Sequence, residues 1–351
     1  MIKNGKVLLK GNEVICQAAI NAGLKFFAGY PITPQNEIPE YMSSHLPAAG
    51  GIFIQAESET AAINMIFGAS AAGFRAMTSS SSPGIALKQE GISYIAAGEL
   101  PCVIVNIMRG GPGLGNIRAS QADYFMSVKG GGHGDYHCIV LSPASHSEAW
   151  SMVMNAFDYA DYYRNPVMIL GDGIFGQMME PLEFTEYKSI KKLPSKSGWR
   201  LDGCAGREAH VIKTLHLDPP DALITHNARL QKKYSLITEE LCLAEEYMCQ
   251  DADIIITGYG ITGRISREAC SVLRASGIKA GLIRPISLWP FPAKIYAQYK
   301  GRKFLTVEMS AGQFIEDVRL SLSGDKTEFL GLGGGWYPDT EQIVEKVKNI
   351  L

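Results

Sequence analysis

Between Gly11 and about Met179, short apolar runs alternate with segments whose apolar positions recur at helical spacing. The runs at 24–28, 51–54, 75–78, 102–107, 137–141 and 166–170 predict strands. The segments 12–22, 34–44, 60–72, 84–97 and 145–162 predict helices. Such alternation predicts an α/β fold with a parallel sheet and helices on both faces. Near Glu186 the pattern gives way to Tyr187-Lys188-Ser189-Ile190-Lys191-Lys192-Leu193-Pro194-Ser195-Lys196, which reads as a solvated linker. A charged, helical stretch is expected over 227–250, then a smaller α/β pattern with strands at 253–257, 280–283 and 303–307. The expected division is a first domain at 1–185, a linker and helical connection at 186–250, and a second domain at 251–351.

Length and charge narrow the field without naming a function. At 351 residues the chain holds about two domains with ample core. A net charge of −2 leaves no broad basic surface for nucleic acid. No apolar run approaches the roughly 20 residues of a membrane helix, and the start lacks a leader's apolar stretch. The expectation is a soluble, cytoplasmic protein. The 7 cysteines are odd in number and contain no C-x-x-C. That argues against a secreted disulfide framework and lacks the usual zinc or iron–sulfur spacing. Any cluster in the pathway would sit on another chain.

Candidate chemistry lies where strands break into helices, the ligand-binding edge of an open α/β sheet. Thr33, in Gly29-Tyr30-Pro31-Ile32-Thr33-Pro34, is either an N-cap before a first-turn proline or a ligand contact. Glu57 and Glu59 are either first-turn acids complementing a helix dipole or a pair of which one enters a cleft. The run Ser79-Ser80-Ser81-Ser82-Pro83-Gly84 reads as a long cap or as a loop laid against a polar cofactor. Arg109, before Gly110-Gly111-Pro112-Gly113, suits a carboxylate or phosphate, or a surface ion pair.

Two motifs invite over-reading. Gly258-Tyr259-Gly260-Ile261-Thr262-Gly263 is a literal G-x-G-x-x-G, but no acid follows at the dinucleotide spacing. Arg284 keeps an NADP-dependent dehydrogenase open. Gly171-Asp172-Gly173 looks like the start of the thiamine-diphosphate metal signature, yet no asparagine follows at the required distance. It reads as a turn, with Asp172 a cap.

Taken together, Gly29–Pro34, the Glu57-Ser58-Glu59-Thr60-Ala61-Ala62-Ile63-Asn64-Met65 run, the serine loop with Gly84, and Met108-Arg109-Gly110-Gly111-Pro112-Gly113-Leu114-Gly115 resemble the α-type subunit of 2-oxoacid:ferredoxin oxidoreductases. The resemblance extends over nearly the whole chain. Lys129-Gly130-Gly131-Gly132-His133-Gly134-Asp135 and the segment from Gly171 to Pro181 look most like the 3-methyl-2-oxobutanoate (2-ketoisovalerate) branch.

The resemblance implies a pyrimidine-binding-type domain of a thiamine diphosphate enzyme at 1–185 and a transketolase C-terminal-like domain at 251–351. It implies oxidative decarboxylation of a branched-chain 2-oxo acid with coenzyme A, giving acyl-CoA, carbon dioxide and reduced ferredoxin. The alternatives are 2-oxoglutarate as substrate, the NADP dehydrogenase, and a non-catalytic scaffold in which Thr33 and Glu59 only cap helices. For 2-oxoglutarate, Arg118, Lys129 or His133 would supply the second cation. By position, Glu59 is carried over as the cofactor-activating glutamate, hydrogen-bonded to N1′ of the aminopyrimidine. Thr33 and Arg109 would face the substrate and the thiazolium end, and Ser81 and Ser82 the cofactor. Thiamine diphosphate would be shared with a β-type subunit that brings the diphosphate and Mg2+. A γ-type subunit and a ferredoxin-like iron–sulfur subunit would complete a dimer of hetero-oligomers, with no metal ligand, nucleic acid or membrane contact on this chain.

Overall fold

The computed structural model describes residues 5–324 and 326–351; residues 1–4, part of the start read above for a leader, lie outside the described residues. The first half runs β1 (Val7–Lys10), α1 (Gly11–Asn21), β2 (Phe26–Gly29), α2 (Glu37–Ala48), β3 (Ile52–Gln55), α3 (Glu59–Ala71), β4 (Ala76–Ser80), α4 (Ser82–Ala97) and β5 (Cys102–Met108). It continues with α5 (Tyr124–Val128), β6 (Ile139–Leu141), α6 (His146–Tyr163), β7 (Pro166–Asp172), α7 (Gly173–Gln177) and β8 (Met179–Leu182). The second half holds α8 (Ala222–Glu240), β9 (Ala244–Tyr247), β10 (Ile254–Thr257), α9 (Gly260–Ala275), β11 (Ala280–Pro285) and β12 (Ser287–Trp289). It closes with α10 (Ala293–Ala297), β13 (Lys303–Glu308), α11 (Phe314–Ser321), β14 (Thr327–Gly331) and α12 (Thr340–Ile350).

The expected α/β class is the observed one. A 7-stranded sheet has the order β12-β6-β7-β5-β4-β2-β3, parallel throughout except for β12. Every residue of β4, β5 and β7 is buried, as strands covered on both faces require. Alternation along β5 sorts the core into two layers. Val103, Val105 and Ile107 pack with α1, α2 and α6, whereas Cys102, Ile104 and Met108 pack with α3 and α4.

The smaller sheet, β14-β13-β10-β11-β9, is parallel except for β9. Gln121 locks it to the large one: its Nε2 donates to Tyr259 O (2.9 Å), and its Oε1 accepts from Thr262 and from the Met309 N–H. Tyr124 adds a bond to Asp317 Oδ2 at 2.7 Å.

Three local expectations change. The second helix starts at Glu37 rather than 34, because the carbonyls of Thr33 and Pro34 are taken by Arg109, Asn12 and Gln177 instead of by a first helical turn. The stretch over 227–250 is not one helix but α8 followed by β9, which pairs antiparallel with β11. Finally, β12 leaves the small domain's chain to become the antiparallel edge of the large sheet beside β6.

Candidate active site

Strands β2, β3, β4 and β5 are parallel neighbours, so the segments after Gly29, Gln55, Ser80 and Met108 meet at one edge of the sheet. There Ser58 caps α3, its Oγ accepting the Ala61 N–H at 3.1 Å. The cap sets the first turn, and the two acids part company: Glu57 is exposed, while Glu59 is 6% exposed. No hydrogen bond reaches the Glu59 carboxylate among the described residues, although the residue is largely enclosed.

The Glu59 side chain lies against Gly84 in the first turn of α4. A Cβ at Gly84 would stand 2.6 Å from Glu59 Oε1 and 2.0 Å from Ser80 Oγ. Only glycine leaves room for the acid. The hydroxyls of Ser80 and Ser81 are fully buried and also lack partners. Ser81 takes the N-cap position of α4 by its backbone alone.

Ser82 does the connecting. Its hydroxyl donates to Asp123 Oδ2 at 2.6 Å and accepts the Arg109 N–H at 3.0 Å. Burial pushes the Asp123 carboxyl up from its ordinary range, against the pull of Ser82, Asn106 and Arg109. The Arg109 guanidinium donates to Thr33 O and Leu114 O, each at 3.0 Å, and its Nε is buried without a partner. Thr33 itself is exposed and is not a helix cap. Thus Thr33, Arg109 and Ser82 form one bonded chain, and Glu59 with Ser80 and Gly84 forms the adjoining wall.

Beneath Glu59 lies a residue that sequence reasoning missed. Lys88 is 0% exposed, and its ammonium donates to Thr78 Oγ1 (2.7 Å) and Ser79 O (2.9 Å). A cation on the buried stripe of α4, with Ile85, Gly84, Gly91 and Ile92, was the available clue. Asp123 was missed too, and nothing in its local sequence marks it.

Of the three cations considered for a second substrate carboxylate, Lys129 is paired with Asp317, and His133 sits on an exposed glycine loop. Arg118 lines a cavity of about 690 Å³ with Pro34, Ile117, Gly173 and Tyr337. The glycine motif at Gly258 is filled from within the protein by Gln121, and Arg284 is held by Glu148 and Glu245 at 2.8 and 2.7 Å. Asp172 caps α7, accepting the N–H groups of Ile174 and Phe175 at 2.9 and 3.1 Å.

The donor set fits the aminopyrimidine end of thiamine diphosphate: a carboxylate without a hydrogen bond on a glycine floor, flanked by buried, unpaired hydroxyls. Comparisons with known proteins identify the family. The chain matches the thiamine diphosphate-binding family of pyruvate flavodoxin/ferredoxin oxidoreductases over residues 17–243, and the pyruvate:ferredoxin oxidoreductase core domain II over 252–343. It is 46% identical over 345 residues to ketoisovalerate oxidoreductase subunit VorB of Methanothermobacter marburgensis, covering 98% of this chain and 97% of that one. It is 36% identical over 330 residues to 2-oxoglutarate synthase subunit KorA of Methanocaldococcus jannaschii, covering 88% and 90%. A solved 2-oxoglutarate:ferredoxin oxidoreductase from Magnetococcus marinus, with 2-oxoglutarate, coenzyme A and succinyl-CoA bound, superposes with a TM-score of 0.90 at 30% identity. That match covers 98% of this chain and 65% of the other, so the chain spans just under two thirds of that protein's length. A split-gene transketolase shares the fold alone, with a TM-score of 0.60 at 15% identity over 97% of each chain. Among the described residues no helix is long and apolar enough to cross a membrane.

Proposed function

The chain belongs to the 2-oxoacid:ferredoxin oxidoreductase family, and on that premise we propose that it presents Glu59 to the aminopyrimidine of thiamine diphosphate in the coenzyme A-dependent oxidative decarboxylation of 3-methyl-2-oxobutanoate, with ferredoxin as acceptor. The observation that carries this reading is the Glu59 carboxylate, 6% exposed and without a hydrogen bond at the strand-end edge. When bound, thiamine diphosphate supplies the nucleophilic thiazolium carbon and the electron sink that loss of carbon dioxide from a 2-oxo acid needs. Glu59 holds the proton shared with N1′. A partner chain closing over the cleft would dry it and strengthen that bond, because charge–dipole attraction grows as the local dielectric falls. Arg109 keeps one further N–H on each terminal nitrogen beyond those given to Thr33 O and Leu114 O, and these orient a substrate carboxylate. Ser82 and Asp123 fix the Arg109 backbone, and Thr33 borders the substrate side.

A second chain completes the cleft. Helix α3 carries Ala61, Ala62, Ile63, Met65, Ile66 and Phe67 around its circumference, a pattern expected of a helix buried on every side. Yet Asn64 and Gly68 of α3 are exposed, and Leu87 and Tyr94 of α4 are 57% and 39% exposed. A β-type subunit on this face would bring the diphosphate and Mg2+, since Asp172 is committed to capping α7. The γ-type and iron–sulfur subunits would carry electrons onward in a dimer of hetero-oligomers.

Arg118 supports a second reading, 2-oxoglutarate as substrate, because it lines the cavity beside the Thr33–Pro34 turn. The test co-expresses the chain with its partner subunits and follows coenzyme A-dependent viologen reduction with each 2-oxo acid. Glu59→Gln and Glu59→Ala lose at least about tenfold in turnover while the complex still assembles. Full turnover by an assembled Glu59→Gln complex overturns the assignment, and faster reduction with 2-oxoglutarate overturns the branched-chain substrate.

A further inference from the structure

Lys88 costs the fold something that an apolar residue would not. It occupies the buried stripe of α4 at 0% exposure, where burying an ammonium is expensive and methionine would pack as well. Two of its three donors go to neutral groups, Thr78 Oγ1 and Ser79 O. Neither offsets a full charge. The opposing charge comes from α3: Glu59 acts on Lys88 electrostatically and favours its protonated form. The placement follows from helix geometry. Lys88 stands one turn beyond Gly84, the residue whose missing Cβ makes room for the Glu59 carboxylate, so both groups lie on one face of α4. Of the other charged groups of the cleft, Asp123 accepts from Ser82 and Asn106, and the Arg109 guanidinium donates to Thr33 O and Leu114 O. The strand β4 contributes only neutral contacts to Lys88.

We propose that Lys88 is a positioning residue for Glu59: its pinned ammonium is the counter-charge that keeps the Glu59 carboxylate ionised and turned into the cleft, and so sets the pH range in which the chain engages an aminopyrimidine. The proposal rests on the reading of Glu59 above and names what regulates it. Burial pulls the Lys88 pKa down to about 7, with Glu59 opposing. Below that pH the ammonium is charged and attracts the Glu59 carboxylate; above it that attraction fades.

The test uses the co-expressed complex and thiamine diphosphate with Mg2+ as probe. Its dissociation constant is measured by calorimetry from pH 5 to 8.5 for wild type, Lys88→Met, Lys88→Gln and Glu59→Gln. Lys88→Gln retains polar contacts to Thr78 and Ser79 without charge, which covers the case in which Lys88→Met does not fold. Both Lys88 variants move the acid limb of the binding profile to higher pH by about one unit, roughly fivefold weaker binding at the wild-type midpoint. Glu59→Gln abolishes the limb. Lys88 variants that superimpose on wild type while Glu59→Gln lacks the limb overturn the role of Lys88 alone. A limb that persists in Glu59→Gln overturns the reading of Glu59, and this proposal with it.

Discussion

Two turns in this chain share a grammar: a parallel strand ends, small residues follow, and a helix begins. One leads from β4 through Ser80 and Ser81 into α4; the other leads from β10 through Gly258 and Gly260 into α9. By letter the second is the better nucleotide motif. By bonding it is closed, because Gln121 meets Tyr259 O and Thr262, and Arg284 is shared between Glu148 and Glu245. The first is open: Ser80 and Ser81 keep unpaired hydroxyls, and Glu59 has no hydrogen bond among the described residues. Folded proteins satisfy buried polar groups, so unpaired ones gathered at a strand end mark where something else is to bind. The glycines differ in the same sense. Gly84 makes room for the Glu59 side chain, whereas Gly263 makes room for the Arg284 stem and the Gly258 carbonyl.

The largest effect that separates the two turns is expected from adding one methyl group to each. In Gly84→Ala the new Cβ meets Glu59 Oε1 at 2.6 Å and Ser80 Oγ at 2.0 Å, both ends of side chains that can move. Overpacking of this kind costs about 1–3 kcal/mol, so the protein folds. The acid is displaced, however, and turnover falls by at least about tenfold. In Gly263→Ala the Cβ meets Arg284 Cδ at 2.6 Å and the Gly258 carbonyl oxygen at 2.8 Å. Backbone cannot give way as easily, so stability falls by about 2–3 kcal/mol while turnover per folded complex stays at the wild-type level. Chemical unfolding alongside viologen reduction reads both quantities. If Gly84→Ala lost stability but not turnover, the two turns would be equivalent and the contrast between them would vanish.

Much of this was legible in the sequence, and the exceptions have physical causes. The strands of the sheet centre announced themselves because β5 and β7 are buried on both faces and so read as largely apolar runs, whereas β4 ends in the hydroxyls of Thr78, Ser79 and Ser80. The contrast between Glu57 and Glu59 was legible as a consequence of where α3 begins; the residues alone left open which acid turns inward, and the family resemblance pointed to Glu59. Thr33-Pro34 satisfied every local rule for a helix start and still was not one. Long-range acceptance by its carbonyls, from Arg109 and Asn12, outweighed the local preference. The edge strand β12 has three residues and pairs with β6 far back along the chain, so no local period betrays it. Lys88 was readable as a cation in an apolar stripe; Asp123 owes its significance to Ser82 and Asn106, which only the fold brings near.

The smallest expected effect concerns Asp172, which borders both turns in meaning: as a metal-holding aspartate it would belong to the cleft, as a cap it belongs to the framework. Burial pushes its pKa up to about 6, although the N–H groups of Phe175, Ile174 and Ile261 pull the other way. The folded chain therefore takes up a proton near pH 6 that the unfolded chain refuses until about pH 3.8. Stability tied to this group is fully present below the lower value and is lost as pH rises through the higher one. An asparagine in its place would cap α7 equally well but cannot titrate. Between pH 7 and pH 4.5, wild type should thus gain on the order of 2 kcal/mol relative to Asp172→Asn in urea unfolding. At pH 7 the variant should match or exceed wild type in stability and retain its turnover, because a cap asks only for an oxygen. Loss of thiamine diphosphate affinity in Asp172→Asn at neutral pH, with parallel unfolding curves at both pH values, would instead move Asp172 from the framework into the cleft.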